Sequence, residues 1–169
     1  MRIAACRAED LERLEGAIPS GLSRFHERRF WRQQQGTSTY LIAWIGEVPV
    51  GHAEVRWDGC EAAEVRERFP GCPEINALEV WPERLRSRGF GSALIAEAER
   101  RAVARYLAWI GLGVADDNPR AADLYLRLGF GETACRYIDE YEVVNAAGER
   151  QVFRDPCRFL VKGLGVAAG

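Results

Sequence analysis

Between Ile75 and Ser92 the chain gathers residue types suited to holding an anion. A largely apolar run, Ile75 to Val80, gives way to Trp81-Pro82. Arg86-Ser87-Arg88-Gly89-Phe90-Gly91-Ser92 follows, and a helical periodicity begins at Gly89. Gly89 and Gly91 carry no side chain where the backbone turns into that helix. Their neighbourhood therefore presents bare N–H groups, to which the helix dipole adds partial positive charge. Arg86 and Arg88 add full charges beside the turn, a combination suited to a diphosphate. Two glycines at a helix start fit an ordinary tight turn equally well, so the junction alone does not decide. The nucleotide-binding patterns are missing: the third glycine of a Gly-x-Gly-x-x-Gly fingerprint would fall at Leu94, and no Gly-Lys dipeptide exists for a P-loop.

The elements that must position this turn follow from periodicity. Met1 to Ala5 reads as a strand, and Asp10, Leu11, Leu14 and Ile18 have helical spacing. Ser20 is placed to cap a second helix carrying Leu22, Phe25, Phe30 and Trp31. Thr39 to Ile45 and Val50 to Trp57 read as a hairpin turning at Gly46 to Pro49. A short helix over Ala62 to Phe69 precedes the strand Ile75 to Val80. The clearest helix follows, with Phe90, Leu94, Ala98, Ala102 and Tyr106 recurring every fourth residue. Trp109 to Val114 is a strand. Asn118 caps, and Pro119 opens, a helix that stops at Gly129. Thr133 to Val144 and Gln151 to Val161 are two last strands. This order implies an α/β fold: one mixed, mostly antiparallel sheet of about seven strands with helices on both faces, spanning residues 1–169 as a single domain.

Composition narrows the function classes. With 169 residues, 47% hydrophobic and 28% charged, the chain can build a core without a metal or disulfide staple. Its net charge of −2 advertises no nucleic-acid partner. No apolar run approaches the ~20 residues of a membrane span, and the first residues do not form a signal-peptide core. The five cysteines, Cys6, Cys60, Cys72, Cys135 and Cys157, form no Cys-x-x-Cys pair, and only His26 and His52 could assist in binding metal. They read as free thiols of a cytoplasmic protein, and no metal is expected.

Two blocks, in order, carry a family resemblance. Val80-Trp81-Pro82 followed by Arg86-x-x-Gly89-x-Gly91 and a long amphipathic helix resembles the acetyl-coenzyme A motif of the GNAT family of N-acetyltransferases. Asn118-Pro119-Arg120-Ala121-Ala122-Asp123-Leu124-Tyr125-Leu126-Arg127-Leu128-Gly129-Phe130 is similar to that family's second signature, Asn-x-x-Ala-x-x-Leu-Tyr-x-x-x-Gly-Phe. One extra residue between Pro82 and Arg86 departs from the pattern.

The resemblance implies the GNAT fold, acetyl-coenzyme A as donor, and direct attack by a primary amine in a ternary complex. It places the diphosphate at Arg86, Ser87, Arg88, Gly89, Phe90, Gly91 and Ser92. Leu78 and Val80 would offer backbone hydrogen bonds to the pantetheine arm, with the Val80 N–H facing the thioester oxygen. Asn118 is a further cofactor contact, although a plain helix-cap role explains it nearly as well. Tyr125 becomes the general acid for the departing thiolate; taken alone, an aromatic on a helix beside Leu124 and Leu128 is more often core. Glu74 is the first candidate for general base, helped if burial raises its pKa, and Glu79 the second. A catalytically inactive acyl-coenzyme A-binding or protein-interaction module is the alternative on the same residues.

The acceptor is a small-molecule or peptide amine. Glu61, Glu64, Glu67, Asp139, Glu140 and Glu142 would favour a cationic one if they border its cleft, and Trp31, Trp57 and Trp81 are candidates to line it. GNAT members recur as monomers and dimers, so a homodimer is among the expected assemblies.

Overall fold

The computed structural model describes residues 1–165. Its seven strands form one sheet in the order β1 (Arg2–Ala5), β2 (Ser38–Ile45), β3 (Val48–Arg56), β4 (Glu74–Val80), β5 (Trp109–Ala115), β7 (Arg150–Gly163) and β6 (Gly131–Val144). Every neighbouring pair is antiparallel except β4 and β5. The mixed seven-stranded sheet expected from the element order is present.

Helices cover both faces. Along β2, Tyr40, Ile42 and Trp44 pack with Leu14 of α1 (Leu11–Ala17) and Phe30 of α2 (Phe25–Gln34). The alternate residues Leu41 and Ala43 share a core with Leu94, Ile95, Ala98 and Ala102 of α4 (Phe90–Ala104). Because both faces are covered, β2 is buried from Ser38 to Trp44 instead of alternating with solvent. α3 (Ala63–Arg68) packs on β6, and α5 (Pro119–Arg127) adds Ala122 and Tyr125 to the α4 side.

Two glycines in β5 leave room for aromatic side chains of the last hairpin. A Cβ on Gly111 would lie 2.4 Å from the Phe159 ring, and one on Gly113 would lie 1.8 Å from Tyr137 Oη. The missing side chains are the room those two aromatic residues occupy.

Three local expectations are corrected. Ser20 does not cap the second helix: its N–H and hydroxyl donate to the Glu15 carboxylate, and it precedes a 3-10 turn over Gly21–Ser23. α2 starts at Phe25 after a left-handed Arg24, so Leu22 lies outside the helix and is exposed. Pro49 belongs to β3, where it pairs with Trp44 beside a bulge, so the hairpin turn is tighter than the glycine and proline suggest. The extra residue noted before Arg86 is taken up by a 3-10 turn, Glu83–Leu85.

Two irregularities shape the candidate site. The parallel ladder between β4 and β5 holds only Glu74 to Gly111 and Ile75 to Leu112, after which the strands separate. Against β3, β4 carries one extra residue: His52 pairs with Glu79 but Glu54 with Asn76, and Ala77 in the bulge has φ 51°.

Candidate active site

The first half of the site is made of main chain. Trp81 N–H donates to Val50 O on β3. N–H directions alternate along a strand, so the Val80 and Leu78 amides point away from β3, to the side that β5 has left. The Val80 carbonyl, turned the same way, accepts from Arg86 Nε at 3.4 Å. Leu78 and Val80 keep their side chains against the α4 core.

β4 leads through the 3-10 turn into α4, whose first turn has no side-chain cap. Gly89 has φ +86° with open space where a Cβ would stand, and the first intrahelical bond into this turn is from Ala93 N–H to Gly89 O. The amides of Phe90, Gly91 and Ser92 are thus presented at the positive end of a 15-residue helix. The Phe90 ring is buried in the core and holds the turn down. Gly91 faces Leu124 and Leu78 at ordinary contact distance. Ser87, with φ 61°, accepts from Arg120 Nη2 through its hydroxyl at 2.8 Å, which ties the turn to α5. At the start of α5 one of the corresponding amides is occupied: Asn118 Oδ1 accepts from Ala121 N–H at 3.1 Å. Tyr125 is 8% exposed, packs edge-on against Phe130, and burial pushes its phenol up to about 12. It therefore stays protonated across the physiological range.

The second half is a cavity of about 1040 Å³ on the opposite face of β4, bounded by α2, the bulged part of β4 and the β6 strand. Ser23 fixes the far end of β6 across it, accepting from Val144 N–H at 2.9 Å. A smaller recess of about 130 Å³ occupies the gap between β4 and β5. Glu74, Asn76, Ala77, Tyr137 and Asp139 border both spaces, so the strand gap opens into the large cavity at Glu74.

Glu74 is 2% exposed, and burial pushes its carboxyl up to about 7 against the partial pull of Arg56. Asn76 Nδ2 approaches it at 3.4 Å. Asp139 also lies above its ordinary range because of burial. Glu79 behaves differently. It sits 3.4 Å from His52 Nε2, and that contact holds its carboxyl below the usual range. The buried His52 donates through Nδ1 to the carbonyl of bulge residue Ala77 at 3.1 Å. The two candidate bases are thus separated by their surroundings, and only Glu74 is near neutrality.

The other sequence candidates divide. Glu61, Asp139, Glu140 and Glu142 border the cavity, whereas Glu64 and Glu67 do not. None of Trp31, Trp57 and Trp81 lines it: Trp31 and Trp81 are exposed, and Trp57 lies under the Arg105 guanidinium at 4.0 Å. Sequence reasoning did not find Arg28, Arg29, Arg32 and Arg56 in this wall, because they come from α2 and β3 in no local motif. Among the described residues no group of His, Cys, Asp and Glu is placed to hold a metal ion, and no helix is long and apolar enough to cross a membrane.

A model of the acetyltransferase (GNAT) family matches residues 7–130, well over half of the 169-residue chain. The chain belongs to the acetyltransferase (GNAT) family. No curated protein matches the sequence. Among solved structures, a ribosomal-protein-alanine N-acetyltransferase from Brucella melitensis is similar at 19% identity, covering 96% of this chain and 99% of that one, with a TM-score of 0.64. A spermidine N-acetyltransferase chimera from Vibrio cholerae and hSSAT gives 17%, 97%, 96% and 0.66. A GNAT acetyltransferase from Elizabethkingia anophelis with acetyl-coenzyme A bound gives 16%, 96%, 97% and 0.60. At these identities the likeness bears on the fold, and it extends past the family match into the last hairpin.

Proposed function

We propose that this GNAT acetyltransferase transfers an acetyl group from acetyl-coenzyme A to a primary amine, with the donor in the β4–β5 gap and the amine entering from the large cavity. One observation carries the reading: two strands that part after a single short ladder, leading at one end to an uncapped helix turn and at the other to a buried carboxyl with a pKa of about 7. The donor's chemistry fits these groups. Its diphosphate suits the amides of Gly89 to Ser92 with Arg86 and Arg88 beside them, and its amide-bearing arm suits the free Leu78 and Val80 edge.

The residues then divide the work. Glu74 accepts the proton that the amine sheds as its nitrogen bonds to the acetyl carbon; a carboxylate with a pKa near 7 is half ionised at neutral pH and still basic enough to act. The Val80 N–H, aimed into the gap, stabilises the negative charge that builds on the carbonyl oxygen, where losing one such donor costs about 3 kcal/mol. As the carbon–sulfur bond breaks, Tyr125 delivers its proton to the sulfur. A thiolate desolvated in the gap would have its pKa raised, as burial raises that of the phenol, which keeps the transfer within reach. Glu79, held low by His52, contributes charge to the cavity wall rather than proton transfer. Asn118 supports the Tyr125 helix through its cap.

The test is a free-thiol assay with acetyl-coenzyme A and a panel of primary amines. Amine-dependent thiol release, with the acetylated amine found by mass spectrometry, is expected. Tight donor binding without acceptor-dependent release across the panel would instead make the chain a binding module.

A further inference from the structure

The large cavity is bipolar. The β4 and β6 side brings Glu74, Asp139, Glu140 and Glu142, whereas the α2 side brings Arg28, Arg29 and Arg32. Several of these charges are already matched. Arg32 donates to both Glu54 oxygens at 2.7 and 2.5 Å, and Arg56 bridges Glu54 and Glu61. Glu140 and Glu142 pair with Arg154 and Arg150, whereas Glu79 touches only His52, whose charged form burial disfavours. Removing the matched pairs leaves carboxyls at Glu74, Glu79 and Asp139 on one side and guanidinium groups at Arg28 and Arg29 on the other. Neither arginine has a carboxylate within ion-pair distance among the described residues, although most of the surrounding arginines do.

Arg29 is the sharper case. Its guanidinium is held 4.5 Å from the centre of the Phe25 ring one helical turn earlier and 5.9 Å from that of Tyr40. Its Nη1 is enclosed without a hydrogen-bond partner. Phe25 and Tyr40 fix its plane but supply no counter-charge, and a desolvated guanidinium without one is costly. Nearby Glu54 cannot serve, since Arg32 and Arg56 already occupy it. A fork pre-oriented by stacking, lining a cavity and lacking an anion, matches a carboxylate presented by a ligand.

We infer that the acceptor carries a carboxylate as well as its amine: the carboxylate docks on Arg29, with Arg28 at the rim, and the opposed charges turn the ammonium end toward Glu74 and Asp139. This rests on the reading that the amine enters through this cavity. It narrows the expectation of a cationic acceptor, because three of the four counted acids that border the cavity, Glu61, Glu140 and Glu142, pair with arginines in the fold. A polyamine would set a second positive charge against Arg28 and Arg29.

The experiment compares straight-chain ω-amino acids, from glycine to 6-aminohexanoate, with n-alkylamines and α,ω-diamines of matching length in the thiol-release assay at low salt. At the best length the amino acid is expected to exceed both partners in kcat/KM by about tenfold or more, as for a hydrogen-bonded charge pair. Arg29→Met, which keeps the stem over Phe25, should collapse that ratio toward one, and Arg29→Lys should restore part of it. Thermal melting and donor affinity of each variant report on folding. A second readout does not need turnover: titrating the N-acetylated ω-amino acids should shift the Arg29 side-chain nitrogen resonances. Preference for diamines or plain alkylamines, a ratio unmoved in Arg29→Met, or unshifted Arg29 resonances would overturn the inference. Turnover of alkylamines without Arg29 dependence would leave the proposed acetyl transfer standing, whereas donor binding with no amine acetylated would remove that reading while the Arg29 resonances still judge this one.

Discussion

The two halves of the site are built from different material. On the proposed donor side the surface is backbone: the Leu78 and Val80 edge of a strand whose neighbour has turned away, and the first amides of a helix left without a cap. On the proposed acceptor side it is side chains, brought from α2, β3, β4 and β6. Backbone geometry is imposed by a few short-range requirements, such as a glycine at φ +86° and a helix start beside two arginines, so it leaves a contiguous mark in the sequence. A wall assembled from four elements leaves none. The difference explains why the proposed donor contacts can be read early and the proposed acceptor wall only from the fold.

Substitutions that strike one half and spare the other sharpen this contrast. Gly89→Glu puts a carboxylate into the open space at the anion turn, on a backbone that side chains rarely adopt. Repulsion and the lost cradle should weaken coenzyme A by at least about a hundredfold in calorimetry. Unchanged affinity would detach the diphosphate from this turn.

Glu74→Gln acts at the border between the halves. Turnover should fall about a hundredfold or more, as for loss of a general base. Coenzyme A affinity should hold, and the wild-type rise of kcat/KM through pH ~7 should vanish. Stability responds in a defined direction too. Burial raises the folded-state pKa above the ordinary 4.5, so the favourable contribution of protonated Glu74 is complete below that value and is lost as pH climbs through about 7. The variant should therefore gain on the wild type in thermal melts at pH 8 relative to pH 4.5. A wild-type rate profile flat from pH 6 to 8 would move the proton acceptor elsewhere.

Tyr125→Phe is the mildest of the three. It removes one hydroxyl from a ring that otherwise keeps its packing on Phe130, so kcat should drop about tenfold to a hundredfold with donor affinity nearly intact. Full activity would leave the side chain a packing residue.

Legibility follows the same division. The seven strands, the α4 periodicity from Phe90 to Ala102, the Asn118 cap and the left-handed Gly129 stop were all visible, because each is set by neighbours within a few residues, whereas Tyr106, counted in that periodicity, lies past the helix end at Ala104 and is exposed. Ser20 misled because a helix-capping residue type was already bound by Glu15, five positions earlier. The tryptophans misled because size and aromaticity do not say which side of a helix or turn meets the cavity; Trp31 points to solvent. The pairing of Glu140 and Glu142 on β6 was hidden because their arginine partners, Arg154 and Arg150, lie across a hairpin whose register only the fold supplies.

The most direct measurement is the structure of the protein with coenzyme A bound. The account predicts diphosphate oxygens within hydrogen-bond distance of the Gly89 to Ser92 amides, with the pantetheine arm along Leu78 and Val80 in the gap beside β5. A coenzyme bound on any other surface, or a diphosphate that avoids the start of α4, would contradict it.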